Sequence, residues 1–94
     1  MARLDRMTDR EKYRTLGGYY LMMREYPKAA EQYQSLLARY PADLAAPNDL
    51  ALAYFYQHDF GRALTQGNRA VEFFPGSLIK RNNAGLFALY AGNF

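Results

Sequence analysis

The sequence predicts an all-α chain built as two and a half copies of one antiparallel helix pair, five helices in all. Three observations predict it. Leu16, Tyr20, Ala29, Tyr33 and Pro41 are followed 34 residues later by Leu50, Tyr54, Ala63, Gly67 and Pro75, and self-similarity at a fixed period marks a repeated supersecondary unit. Apolar residues within each unit step by three and four, the spacing of one helix face. Pro27, Pro41, Gly61 and Pro75 fall between these runs, where helices start and stop.

Residues 1–8 read as a charged, unpatterned lead-in. Thr8-Asp9-Arg10-Glu11 is a capping-box signature, the Thr8 hydroxyl accepting from the amide three residues on while Glu11 reaches back. The first helix is expected to run to about Arg24, with Tyr13, Leu16, Tyr20 and Met23 on one face. Gly17 and Gly18 weaken it by about 1 kcal/mol each relative to Ala. Glu25-Tyr26-Pro27 is a turn, since Pro suits the first helical position, where its missing amide hydrogen costs nothing. A second helix follows to about Tyr40, with Ala29, Ala30, Tyr33, Leu36 and Leu37 inward and Lys28, Glu31, Gln34 and Arg39 outward.

Asp43 is expected to cap the third helix, with Pro47 in its first turn. Gln57 to Gly61 form the next turn, Phe60 standing where the first unit has Tyr26. The fourth helix runs from about Arg62 to Phe73 and buries Ala63, Ala70, Val71 and Phe74. Gly67 stands where the first unit has Tyr33, which either leaves a gap or admits Phe87 of the next helix. Ser77 caps a fifth helix from Leu78 to about Ala91, Gly92 ends it, and Phe94 matches Phe60. The units cover about 10–43 and 44–77, with a half unit at 78–94 and the whole repeat domain at 9–94.

Composition removes several function classes. Twelve Lys and Arg stand against nine Asp and Glu, and the signs are interspersed rather than gathered into the one-signed stripe of a nucleic-acid binder. There is no Cys, which excludes disulfides and thiolate chemistry and is compatible with a reducing compartment. No run approaches the roughly 18 apolar residues of a membrane span, and the start lacks a signal-peptide core, so a cytoplasmic setting is expected. The single His, His58, falls in a turn and reads as a solvated surface residue. Phosphate-loop, dinucleotide and nucleophile-elbow motifs are absent from the sequence. Neither a cofactor nor catalysis is expected.

Leu16-Gly17-x-x-Tyr20 with Ala29, Tyr33 and Pro41, at a period of 34, resembles the tetratricopeptide repeat (TPR) over about Asp9 to Phe94. Pro47, where the pattern has the aromatic that Tyr13 supplies, and Gly67 depart from it. The resemblance implies a right-handed α-solenoid of antiparallel helix pairs that binds a protein or peptide partner in a concave groove lined by the first helix of each unit. Leu4 to Tyr13 and Arg81 to Ala84 are also similar to TPR regions that follow the catalytic domain of some bacterial serine/threonine kinases, which implies a docking or regulatory segment.

On that implication, residues one period apart form ladders along the groove: Arg14, Asn48 and Asn82; Gly18, Leu52 and Leu86; Leu21, Phe55 and Leu89; Met22, Tyr56 and Tyr90. Amides suit the backbone of an extended peptide and aromatics its side chains. The plainer reading leaves Phe55 and Leu89 in the core, with the Asn residues facing solvent, and puts Leu21 and Met22 in the core as well. The carboxylate clamp of chaperone-adaptor TPR domains maps onto Arg14, Gly18, Asp49, Ile79 and Asn83. Only Arg14 keeps the charge and Asp49 would repel a carboxylate, which argues against chaperone tails. The expected binding residues are therefore Arg14, Asn48, Leu52, Phe55, Tyr56, Asn82, Asn83, Leu86, Leu89 and Tyr90. The unmatched fifth helix is expected to leave Ala84, Phe87, Ala88 and Ala91 open, inviting self-association. A helical-repeat RNA binder and a purely structural oligomerisation element are the alternatives.

Overall fold

The computed structural model describes residues 8–92; the lead-in before Thr8 and the expected match of Phe94 to Phe60 lie outside them. The described residues form five α-helices and no strand: α1 (Asp9–Met22), α2 (Tyr26–Arg39), α3 (Ala46–Tyr56), α4 (Phe60–Phe73) and α5 (Leu78–Tyr90). None of these helices is long and apolar enough to cross a membrane. The Thr8 hydroxyl accepts from the Glu11 amide at 3.2 Å, so Thr8 caps α1 and supplies its half of the expected capping box. Pro27 and Pro47 each sit in a first helical turn, where a missing amide hydrogen leaves no bond unmade. α1 stops two residues short of Arg24 because Arg24 takes the left-handed conformation at φ 61°, which ends the helix.

Each helix packs chiefly on its neighbours in the chain, with a smaller contact between α1 and α3. The array measures 45 × 25 × 21 Å. Its core lies between α2 and α3, where Ala29, Ala30, Tyr33 and Leu36 meet Ala46, Leu50, Ala51, Ala53 and Tyr54, and it extends to Ala63 and Phe87. So many alanines let backbones approach closely, and two glycines take this further. A Cβ on Gly17 would stand 2.7 Å from the Tyr33 ring, and one on Gly67 would stand 2.6 Å from the Phe87 ring. Phe87 thus fills the space that the missing aromatic at position 67 leaves.

The loop before α3 is held by one buried charge. The Asp43 carboxylate accepts from the Ala45 and Ala46 amides at 3.0 and 2.9 Å; it thus serves the start of α3 as expected, from two residues ahead of the N-cap position, which is Ala45. It also takes Arg10 at 2.9 Å and Arg14 at 2.6 Å from α1. Burial alone would raise its pKa, but the Ala46 amide and the two guanidinium groups outweigh that and hold it below the usual carboxylate range. α1 is thereby pinned to the start of α3, across the hairpin that separates them.

The 34-residue period is present in the backbone as well as in the sequence. Arg24, His58 and Gly92, spaced by one period, share a left-handed φ of 61°, 64° and 73°. Glu25 and Asp59 begin the second helices of their units at φ/ψ of −94/69° and −93/73°. Tyr40 and Phe74 end those helices at −131/73° and −132/67°. The side chain of Asp43 accepts from the Ala46 amide and that of Ser77 from the Lys80 amide, again one period on. The two units therefore share one turn geometry in spite of Pro47 and Gly67.

Candidate partner-binding face

The C-terminal halves of α3 and α5 meet the first turns of α2 and α4 in an aromatic cluster. Tyr56 stacks on Tyr26 with ring centroids 4.9 Å apart, and Tyr90 lies on Phe60 at 5.2 Å. The two pairs are the same contact displaced by 34 residues. Each places a tyrosine from the end of a first helix on an aromatic that opens the second helix of the unit before it. The rings are held on one side and open on the other, Tyr56 being 51% and Tyr90 54% exposed. An aromatic already fixed by stacking loses little freedom when it takes a ligand side chain.

Other expected site residues divide by burial. Phe55 packs against Phe87 at 5.2 Å and Tyr90 at 5.1 Å and lines the core with Leu52, so the plainer reading holds for it. Leu89 does not follow it inward; it is 58% exposed. Leu86 and Asn82 are also exposed, while Asn48 and Asn83 are half-buried. Met22, expected in the core, is exposed, whereas Leu21 packs against the core as expected. Arg14 directs its Nε and one Nη2 donor to Asp43, which leaves it less free for a ligand than the sequence implied.

One polar group lies beside this face. The Asp49 carboxylate lies among Asn48, Tyr33 and Lys80, each of which favours its charged form. Burial raises its pKa above the usual range against those favourable partners, and the Asp43 charge adds to the rise. Tyr33 is shifted the same way, by burial first and then by the Asp49 charge. His58 sits in the turn, exposed and stacked on Phe60 at 5.6 Å.

The open face of α5 is not the one expected. Phe87 is fully buried, and the Ala84 backbone lies against Gly67 of α4, so both belong to the α4–α5 contact. Ala88 is half-buried, and Ala91, just past the helix, is exposed. The open side is instead formed by Leu78, Ile79, Asn82, Gly85, Leu86 and Leu89. Because α5 is apolar on both sides, its periodicity does not say which side turns inward. Tyr26 and Phe60 were legible only as turn residues; their own spacing of 34 was the signal that they support the exposed tyrosines.

Comparisons with protein-family models, curated proteins and solved structures return no match to this chain.

Proposed function

We propose that the chain is a TPR-type helical-repeat module that holds an extended peptide segment of a protein partner along α1, α3 and α5 and has no catalysis of its own. The observation that carries this reading is the repeated mounting of Tyr56 on Tyr26 and Tyr90 on Phe60. Two half-exposed aromatic rings one structural period apart offer equivalent exposed ring faces to side chains spaced along an extended chain. Asn82 and Leu86 on α5 supply amide donors and acceptors and apolar contact beside them. The recurring turn dihedrals support a solenoid, in which first helices line one face and ladders of like residues follow. A docking or regulatory segment of a larger protein, in a cytoplasmic setting, fits this reading.

The test is to select linear peptides from a random display library on the immobilised chain, then measure their affinity for Tyr56→Ala/Tyr90→Ala. We expect a loss of about ten-fold or more, with far-ultraviolet circular dichroism unchanged. Peptides that bind the double variant as tightly as the parent would refute the assignment. Binding to a single-stranded homopolymer RNA that falls steeply with added salt would favour the nucleic-acid alternative instead.

A further inference from the structure

The side of α5 that faces away from α4 is apolar and self-complementary. At 3.6 residues per turn, Leu78, Asn82, Gly85 and Leu89 fall within about 60° of the helix circumference. All four are exposed, Leu78 at 71% and Leu89 at 58%. The order Leu, Asn, Gly, Leu has spacings of four, three and four, which read the same in both directions. An antiparallel copy of the helix therefore sets Leu78 level with Leu89 at each end, and Asn82 level with Gly85 in the middle.

The residues suit that arrangement chemically. Nothing lies within 4 Å of a Cβ built on Gly85, although its equivalents one and two periods earlier, Ala51 and Gly17, are buried beneath other helices. A bare glycine lets a second backbone approach closely, and the Asn82 side chain of one copy lies beside it. The two Asn82 side chains fall about one turn apart along the axis, where their amides can donate and accept across the two-fold. The only charged residues of α5 are Lys80 and Arg81. Lys80 lies over the Phe74 ring at 4.8 Å, on the inner side. Arg81 flanks the open side, and antiparallel packing brings it towards the C-terminal end of the other α5, the negative end of its helix dipole, where a cation is favoured. Parallel packing would instead set Arg81 against Arg81.

We infer that the chain forms a two-fold symmetric homodimer through antiparallel α5 helices, with Leu78 of each copy on Leu89 of the other. A helix of 13 residues spans only about 20 Å, so the contact is small beside the roughly 1,200 Å² of a stable interface. The dimer is accordingly weak, with a dissociation constant of about 10 μM to 1 mM. It shares Asn82, Leu86 and Leu89 with the proposed peptide face and would cover that part of it, but it does not depend on peptide binding.

Sedimentation equilibrium of the full chain without any peptide reads the association. We expect a mass that rises from monomer to dimer with concentration, and at least a ten-fold weaker association for Gly85→Leu, whose side chain has open space in the monomer. The natural chain has no Cys, so mild oxidation of a mixture of Leu78→Cys and Leu89→Cys chains reports the register. The mixed disulfide is expected to form faster than either homodisulfide. A monomer mass up to about 1 mM, an association that Gly85→Leu leaves unaltered, or a faster Leu89→Cys homodisulfide would each overturn the inference.

Discussion

Gly67→Ala tests whether Phe87 is a wedge between α4 and α5 or an incidental neighbour. On local grounds the substitution is favourable, since Gly67 lies inside α4 and Ala is preferred to Gly in a helix by about 1 kcal/mol. Packing opposes it. The added methyl would stand 2.6 Å from Cδ2 and 3.0 Å from Cε2 of Phe87, against the 3.5–4.0 Å optimum for carbon pairs. The ring has little room to retreat, being fully buried and 5.2 Å from Phe55. Overpacking of this kind costs about 1–3 kcal/mol, so after the helix gain of about 1 kcal/mol the net effect expected is a destabilisation of up to about 2 kcal/mol.

Urea unfolding followed by far-ultraviolet circular dichroism measures it, with two comparisons that isolate the cause. Gly61→Ala, where nothing lies within 4 Å of the new methyl, should be neutral or stabilising by up to about 1 kcal/mol. In a Phe87→Leu background, which removes the ring atoms that clash, Gly67→Ala should lose its penalty, giving a coupling of about 1–3 kcal/mol between the two sites. A Gly67→Ala chain more stable than the parent by the full helix gain of about 1 kcal/mol, or a penalty that persists with Leu at 87, would refute the wedge.

Asp43→Ala should cost about 2–4 kcal/mol, because it removes a helix cap and charge-assisted bonds to two arginines together. Because the Asp43 carboxyl titrates lower in the folded chain than in the unfolded one, its stabilisation is complete above the unfolded pKa of about 4 and is lost as pH falls through the folded value. Asp43→Asn, which keeps an acceptor without the charge, should flatten that acid limb of a stability-against-pH curve. Asp49 has the opposite sign: its pKa is raised on folding, so its contribution is fullest below the unfolded value and declines as pH rises through the folded one. Asp49→Asn should remove that decline, read in the same pH series. Arg24→Gly should raise stability by about 0.5–1 kcal/mol, seen as a higher unfolding midpoint, since Arg24 holds a φ of 61° that costs a side-chain-bearing residue and not Gly.

The features legible in the sequence were those set by neighbours along the chain. Thr8 with Glu11, Pro27 in a first turn and Asp43 before α3 are short-range signals, and each acts within three residues of its own position. The features missed depend on rotation and on distant partners. The pairing of Asp43 with Arg10 and Arg14 joins residues 33 and 29 apart, and a charged residue near a helix start gives no hint of which other helix will reach it. The side of α5 that turns inward was legible at one point only, the alternative in which Gly67 admits Phe87. Phe87 and Ala84 mark one apolar stripe, Leu78, Leu86 and Leu89 another, and only the empty space at Gly67 decides between them.

That empty space explains why the chain departs from its own pattern at position 67 without breaking the array. In the first unit the large ring is on the second helix, and Tyr33 presses into Gly17 of α1 inside one hairpin. In the second unit the position of Gly17 is taken by Ala51 and that of Tyr33 by Gly67, and the ring comes from α5, so that Phe87 presses into Gly67 across two units. A glycine faces a ring in both cases, and the ring occupies the space that a side chain there would take. What changes is the joint that the ring occupies. Tyr33 locks α1 to α2, whereas Phe87 locks α4 to α5 and, through its contact with Phe55, α3 as well. Phe55 in turn touches Tyr90, so the wedge at Gly67 also sets the position of one of the two exposed tyrosines on which the proposed binding face depends.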